Sequence, residues 1–155
     1  ITFTLQGVGQ MYSKILVPVD GSQRAALAAA HAAQLARHFR SQVVAFYVVQ
    51  PLPGYVNTND PRIEEVLQQI SARLEKNAIE VLEQVKQEML KNGVEPATKF
   101  VWGHPADEIC REAHEGRYDL IVMGSRGLGE IRGFLMGSVS NRVVRHAPCP
   151  VLIVR

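Results

Sequence analysis

Short apolar runs alternate with longer amphipathic stretches along almost the whole chain. Ile15-Leu16-Val17-Pro18-Val19 is followed at once by Asp20-Gly21-Ser22, the pattern of a buried strand that ends at a helix cap. From residue 22 to about residue 40, Ala26, Ala29, Ala30, Ala33, Leu35 and Ala36 keep helical spacing. So many alanines predict a helix lying close against a sheet. Residues 43–49, β-branched and aromatic, read as a second strand. A loop of Pro, Gly and Asn over residues 51–61 leads into residues 62–91. There Val66, Ile70, Leu74, Ala78, Val81, Leu82, Val85 and Met89 trace an amphipathic helix that Asn92-Gly93 stops. Residues 97–102 predict a third strand. Pro105 opens a helix running to Gly116, and residues 118–123 form a fourth strand. After a glycine-rich stretch, residues 138–146 predict a short helix. Pro148-Cys149-Pro150 halts it before a last strand at residues 151–154.

Strands that alternate with helices, each strand read as a continuous apolar run, predict an α/β fold: a parallel sheet with helices on both faces. At 155 residues the chain is long enough for one domain with a real core. Residues 1–10 precede Met11, which reads as a natural start. They lack the basic segment of a secretory signal, and the reading is an extension, either an artificial remnant or a disordered arm. Residues 11–155 are then a single domain.

Composition removes several functional classes. The formal net charge is only +2, and the basic residues are interleaved with Glu and Asp, so no nucleic-acid footprint is present. No apolar run approaches the roughly 18 residues of a membrane span. Cys110 and Cys149 stand far apart in sequence and make no ligand motif with His, which predicts reduced, buried thiols in a cytoplasmic protein. The histidines form no metal-ligand set. Trp102 is expected in the core, and Glu112 and Glu115 on a solvated face.

The chemistry concentrates after the fourth strand, where glycine recurs at 124, 127, 129, 133 and 137. Glycines let a ligand approach main-chain N–H groups, and a helix opening at Gly137-Ser138 aims further N–H groups at the same point. Such an arrangement favours anions, phosphates above all. The spacing is neither of two familiar phosphate motifs. A G-x-G-x-x-G fingerprint would need glycine where Arg132 stands. A Walker A loop would need lysine where Glu130 or Ser138 stands. What remains is G-x2-G-x9-G-S, on Gly124, Gly127, Gly137 and Ser138.

With that motif the chain resembles the universal stress protein family, in particular its ATP-binding branch. Ile15 to Asp20 resembles the family's opening strand ending in Pro-x-Asp. Residues 119–127 resemble its D-L-I-V-M-G-S-R-G segment, and residues 148–154 its closing strand. The resemblance implies an open five-stranded parallel sheet in the order 3-2-1-4-5, a Rossmann-like arrangement of the nucleotide-α-hydrolase type. It also implies an adenine-nucleotide site at Pro18, Asp20, Val48, Gly124, Gly127, Gly137, Ser138 and Val139. Gly124 would lie against the ribose. Gly127, Gly137, Ser138 and Val139 would contact phosphates.

Asp20 is open to two readings: a contact to adenosine or to a phosphate-bound cation such as Mg, or the N-cap of the first helix. Val48 meets adenine through its backbone or is simply a core valine. Arg126 and Arg132 are read as solvated loop residues, and Ser140 and Asn141 as supports of their helix. No catalytic residue is assigned: without a Walker lysine or an obvious base, any ATP hydrolysis is expected to be slow or partner-assisted. The expectation is an ATP-binding stress-response switch or sensor. Against it stand a non-binding dimeric interaction protein of the same fold and a catalytic relative. The family also implies a homodimer through residues 150–155, because an apolar last strand at a sheet edge invites pairing.

Overall fold

The computed structural model describes residues 11–52, 60–128 and 136–155. Its strands are β1 (Lys14–Pro18), β2 (Gln42–Val49), β3 (Ala97–Trp102), β4 (Leu120–Gly124) and β5 (Val151–Val154). Its helices are α1 (Gln23–Phe39), α2 (Pro61–Lys91), α3 (Pro105–Glu115) and α4 (Ser138–His146). All strand pairs are parallel, as the sequence pattern predicts, and the order is β3-β2-β1-β4-β5, as the resemblance implied.

Successive side chains of a strand point to opposite faces, and here both faces are buried. Ile15, Val17, Val43, Ala45, Leu120 and Val122 pack on one side beneath α1 and α2. Leu16, Phe46, Ile121 and Met123 pack on the other beneath α3 and α4. The buried stripe of α1 is Ala25, Ala28, Ala29, Ala32, Ala33 and Ala36. It is rotated from the predicted stripe, which had included Ala26 and Ala30, both exposed. A methyl-only stripe lets the helix approach the sheet closely, since no longer side chain separates the two backbones.

Boundaries move where side chains or edges intervene. Tyr118 and Asp119 precede β4 instead of opening it, because the Asp119 carboxylate accepts the Ser13 N–H at 2.8 Å and so ties the chain before the ladder begins. Edge strand β3 is not a continuous apolar run: Ala97, Thr98 and Lys99 are exposed, as an edge strand covered on one side permits. Trp102 is half-buried rather than core and donates Nε1–H to Glu75 at 2.9 Å. Glu112, expected on a solvated face, is largely covered; it accepts from Tyr118 Oη at 3.0 Å and from Lys99 Nζ at 2.6 Å. The two cysteines are free and half-buried, and burial pushes both thiols above their ordinary range.

α2 is 31 residues long, about 46 Å at helical rise. Its lower part buries Ala78, Leu82 and Met89. Glu75 already meets the last residue of β3, so residues 61–74 run on beyond the carboxyl edge of the sheet. The predicted apolar stripe continues there uncovered, with Val66 52% and Ile70 38% exposed.

Close contact along the alanine stripe predicts a steep penalty for added volume. Ala32→Leu should lower stability by about 1–3 kcal/mol in urea unfolding. The same change at exposed Ala30 should stay within about 0.5 kcal/mol. Equal costs at the two positions would mean that α1 does not bury the face described.

Candidate functional site

β1 is central and pairs with both β2 and β4, but unequally. Its register with β2 holds through Pro18↔Phe46, whereas its register with β4 covers only Ile15↔Leu120 and Leu16↔Ile121. β4 meanwhile stays with β5 through Gly124↔Val154. Backbone bonds past the strands keep the same allegiance: Val19 N–H donates to Phe46 O at 2.9 Å and Ser125 N–H to Val154 O at 2.8 Å. The central pair therefore parts toward its carboxyl end. The opening lies where the strand order reverses, the place at which open parallel sheets bind ligands.

A crevice of about 360 Å³ occupies this opening. It is lined by Pro18, Asp20, Val48, Gly124, Gly127, Ser138 and Val139, so all the predicted site residues except Gly137 face one space. Pro105 and Ile109 of α3 and Phe46 of β2 form a wall that the motif search did not find. The signal for it was chain order with the crossover rule: α3 starts just past the carboxyl end of β3, and a right-handed connection to β4 fixes the face it covers. A larger groove of about 580 Å³ lies between α1 and α2, lined chiefly by alanine and valine. It holds none of the glycine-loop residues.

Two glycines of this loop meet close neighbours, Gly124 a backbone and Gly127 the end of a side chain. A Cβ on Gly124 would lie 2.8 Å from the Arg24 backbone carbon, so its absence lets β4 and α1 meet. A Cβ on Gly127 would lie 2.6 Å from Asp20 Oδ2. The Asp20 carboxylate fills that space and crosses the opening. Oδ1 accepts the Ser22 N–H at 2.9 Å and Oδ2 the Leu128 N–H at 3.1 Å. Asp20 is not the N-cap of α1; that role falls to Ser22, whose Oγ accepts the Ala25 N–H at 3.1 Å. A cap oxygen must reach N2 or N3, and Ser22 is the residue placed to do so.

Gly137 is turned inward. Its N–H donates to Ser125 O at 2.7 Å, and it is buried, so in this arrangement its amide is given to the protein. The same Ser125 oxygen accepts Ser140 Oγ–H at 2.8 Å. Ser140 thus locks the start of α4 to the end of β4, the supporting role its position suggested. The ladder of α4 begins with Asn141 N–H to Gly137 O at 2.9 Å, and Ser138, Val139 and Ser140 of its first turn line the crevice. Val48 lines the crevice half-buried, which suits its adenine reading and its core reading equally. Arg126 is half-buried on the lining, not merely solvated; Arg132 lies outside the described residues.

The arrangement offers an apolar wall, the start of a helix and one charge of each sign, Asp20 and Arg126, among the described lining residues. That suits a polar, anionic small molecule with an apolar body. Among the described residues, no three His, Cys, Asp or Glu side chains gather to hold a metal ion. A cation here would need oxygen ligands from the bound molecule besides Asp20. No helix of the described residues is long and apolar enough to cross a membrane.

The model of the universal stress protein family matches residues 11–155. Universal stress protein MJ0531 of Methanocaldococcus jannaschii is 39% identical over 145 residues, covering 94% of this chain and 83% of that protein. Universal stress protein UspA from Lactobacillus plantarum superposes with a TM-score of 0.82 at 29% identity, covering 95% of this chain and all of the other. The universal stress protein from Archaeoglobus fulgidus in complex with dAMP superposes with a TM-score of 0.64 at 28% identity, covering 94% and 99% of the two chains.

The buried Ser140 hydroxyl should matter to stability before it matters to any ligand. Ser140→Ala removes one of two donors from a buried carbonyl and is expected to cost about 1 kcal/mol in urea unfolding. An unchanged midpoint would show that Ser140 does not hold α4 to β4.

Proposed function

Because this chain belongs to the universal stress protein family, we propose that it is a stress-response switch or sensor that binds an adenine nucleotide, ATP, in the crevice between β1 and β4. The observation that carries this reading is the convergence of seven of the eight expected site residues on one opening at the reversal of strand order. The base would lie toward Val48 and Pro18, and the phosphates toward the glycine loop and the start of α4. Nucleotide binding by a relative of the same fold, in complex with dAMP, supports the ligand class.

Among the described residues lining the crevice there is no lysine, and Asp20 is the single carboxylate. Hydrolysis on this reading is slow or supplied by a partner, and the nucleotide acts as a signal. A cytoplasmic setting goes with it, since free half-buried thiols suit a reducing compartment. The competing reading, an interaction protein that binds no nucleotide, draws on the amides of Ser125, Leu128 and Gly137, each already bonded within the protein.

Equilibrium dialysis against ATP, AMP and NAD separates the two. Retention of an adenine nucleotide at micromolar protein is expected, and retention of none overturns the proposal.

The proposal includes a homodimer through residues 150–155. β5 is an edge strand whose Leu152 is 38% exposed, and an antiparallel second copy would cover it. Light scattering at tens of micromolar should return twice the chain mass. A single-chain mass would remove this part of the proposal.

A further inference from the structure

Two thiols outside the crevice share one face of the sheet. Cys110 of α3 and Cys149, between α4 and β5, are free and half-buried. Both pack against the buried cluster that holds Ile109, Tyr118, Ile121 and Val143. α3 and α4 each return from the carboxyl edge of the sheet to its amino edge, so they run parallel. The ion pair of Asp107 with Arg142, at 2.9 Å, sets them in step. One turn further along, α3 carries Cys110; α4 ends at His146, and the chain reaches Cys149 three residues later. Burial and then Asp107 raise the Cys110 thiol while Arg142 lowers it, which puts Cys110 beside that ion pair, on the side of α3 turned to α4. Burial, then Asp119, then Cys110 push the Cys149 thiol up, so the two sulfurs lie within electrostatic reach of each other.

We propose that Cys110 and Cys149 are a reversible oxidation site, which a hydroperoxide converts to an internal disulfide fastening α3 to the entry of β5. In the first step one sulfur attacks the peroxide: an S–O bond forms and the O–O bond breaks. The leaving oxygen departs with the thiol's proton as an alcohol, or as water from hydrogen peroxide. In the second step the other sulfur attacks the sulfenic acid, an S–S bond forms, the S–O bond breaks, and water leaves. The two thiols lose two electrons and two protons, and the hydroperoxide takes up both. A dithiol reductant reverses the bond by exchange, and in a reducing compartment the pair stays open. Partial exposure admits a small oxidant, while burial keeps thiolate scarce, so closure is slow and answers sustained oxidant rather than a brief pulse. Ile109, next to Cys110, and Pro105 wall the crevice, so the closed bond stiffens that wall. No step involves a bound nucleotide.

Peptide mapping of the full chain tests this, after equilibration in glutathione buffers of increasing oxidised fraction and, separately, after prolonged hydrogen peroxide. Wild type should yield one cross-linked peptide joining Cys110 to Cys149 within a chain, and a dithiol should open it. The closed form should melt roughly 5–10 °C higher, because the bond restricts the unfolded chain. Amide hydrogen exchange in α3 should slow. Cys110→Ser and Cys149→Ser should each take up glutathione or a sulfenic acid instead, and neither should gain stability on oxidation. Glutathione on both cysteines of wild type without a cross-link would place the sulfurs too far apart to join and overturn the inference. A bond between chains, sulfinic acid formed without the internal bond, or thiols unreacted under both conditions would overturn it as well. A cross-link that leaves α3 exchange unchanged would remove its effect on the crevice wall.

Discussion

The parting of β1 from β4 is the feature on which the rest of the molecule turns. A central strand in a parallel sheet has two neighbours, and here its bonds to one end two residues into the common register while its bonds to the other continue. On their outer sides β1 stays paired with β2 through Pro18 and β4 with β5 through Gly124, so the ladder continues on both sides of the opening. The crevice follows from sheet order rather than from a deletion or a distortion.

What bridges that opening also defines it. Gly124 brings the end of β4 against the backbone of α1, and the Asp20 carboxylate reaches from the end of β1 to the loop after β4. Below them, Ser125 O gathers the Gly137 amide and the Ser140 hydroxyl, which seats the start of α4 beside the loop. A glycine-rich stretch cannot hold itself in one shape, because glycine gives up more conformational freedom on ordering than other residues. Bonds from Asp20, Ser125 and Ser140 supply the order at the described ends of this stretch. The same bonds consume amides that a motif alone would have assigned to a ligand.

At the sheet edges the chain leaves apolar surface open. β5 carries exposed Leu152, and the first part of α2 continues its apolar stripe past the strands, with Val66 and Ile70 exposed. The opposite, amino-terminal end of the sheet is closed by polar ties. Lys14 Nζ donates to Gly116 O at 2.8 Å and lies 4.3 Å from the centre of the Tyr118 ring, and Tyr118 in turn donates to Glu112. Burial and that acceptor push the Tyr118 hydroxyl well above its ordinary range, so it stays a donor at any physiological pH. One end of the sheet is thus bolted, and the other is left for binding and contact.

Periodicity and glycine spacing alone determined the number and kind of elements, the parallel sheet with two covered faces, and the segment where chemistry would lie. These are local or nearest-neighbour properties: a run of β-branched residues, a helical repeat of alanines, and a glycine spacing each act over a few positions. Family resemblance added the strand order. Tertiary structure alone decided which face of α1 is buried, that Ser22 rather than Asp20 caps it, that Gly137 turns its amide inward, and that α3 walls the crevice. Each depends on a partner distant in sequence, Asp20 on Leu128 or Ser140 on Ser125, and a linear pattern does not encode which acceptor wins a given amide. That choice belongs to the packing that brings the competitors together.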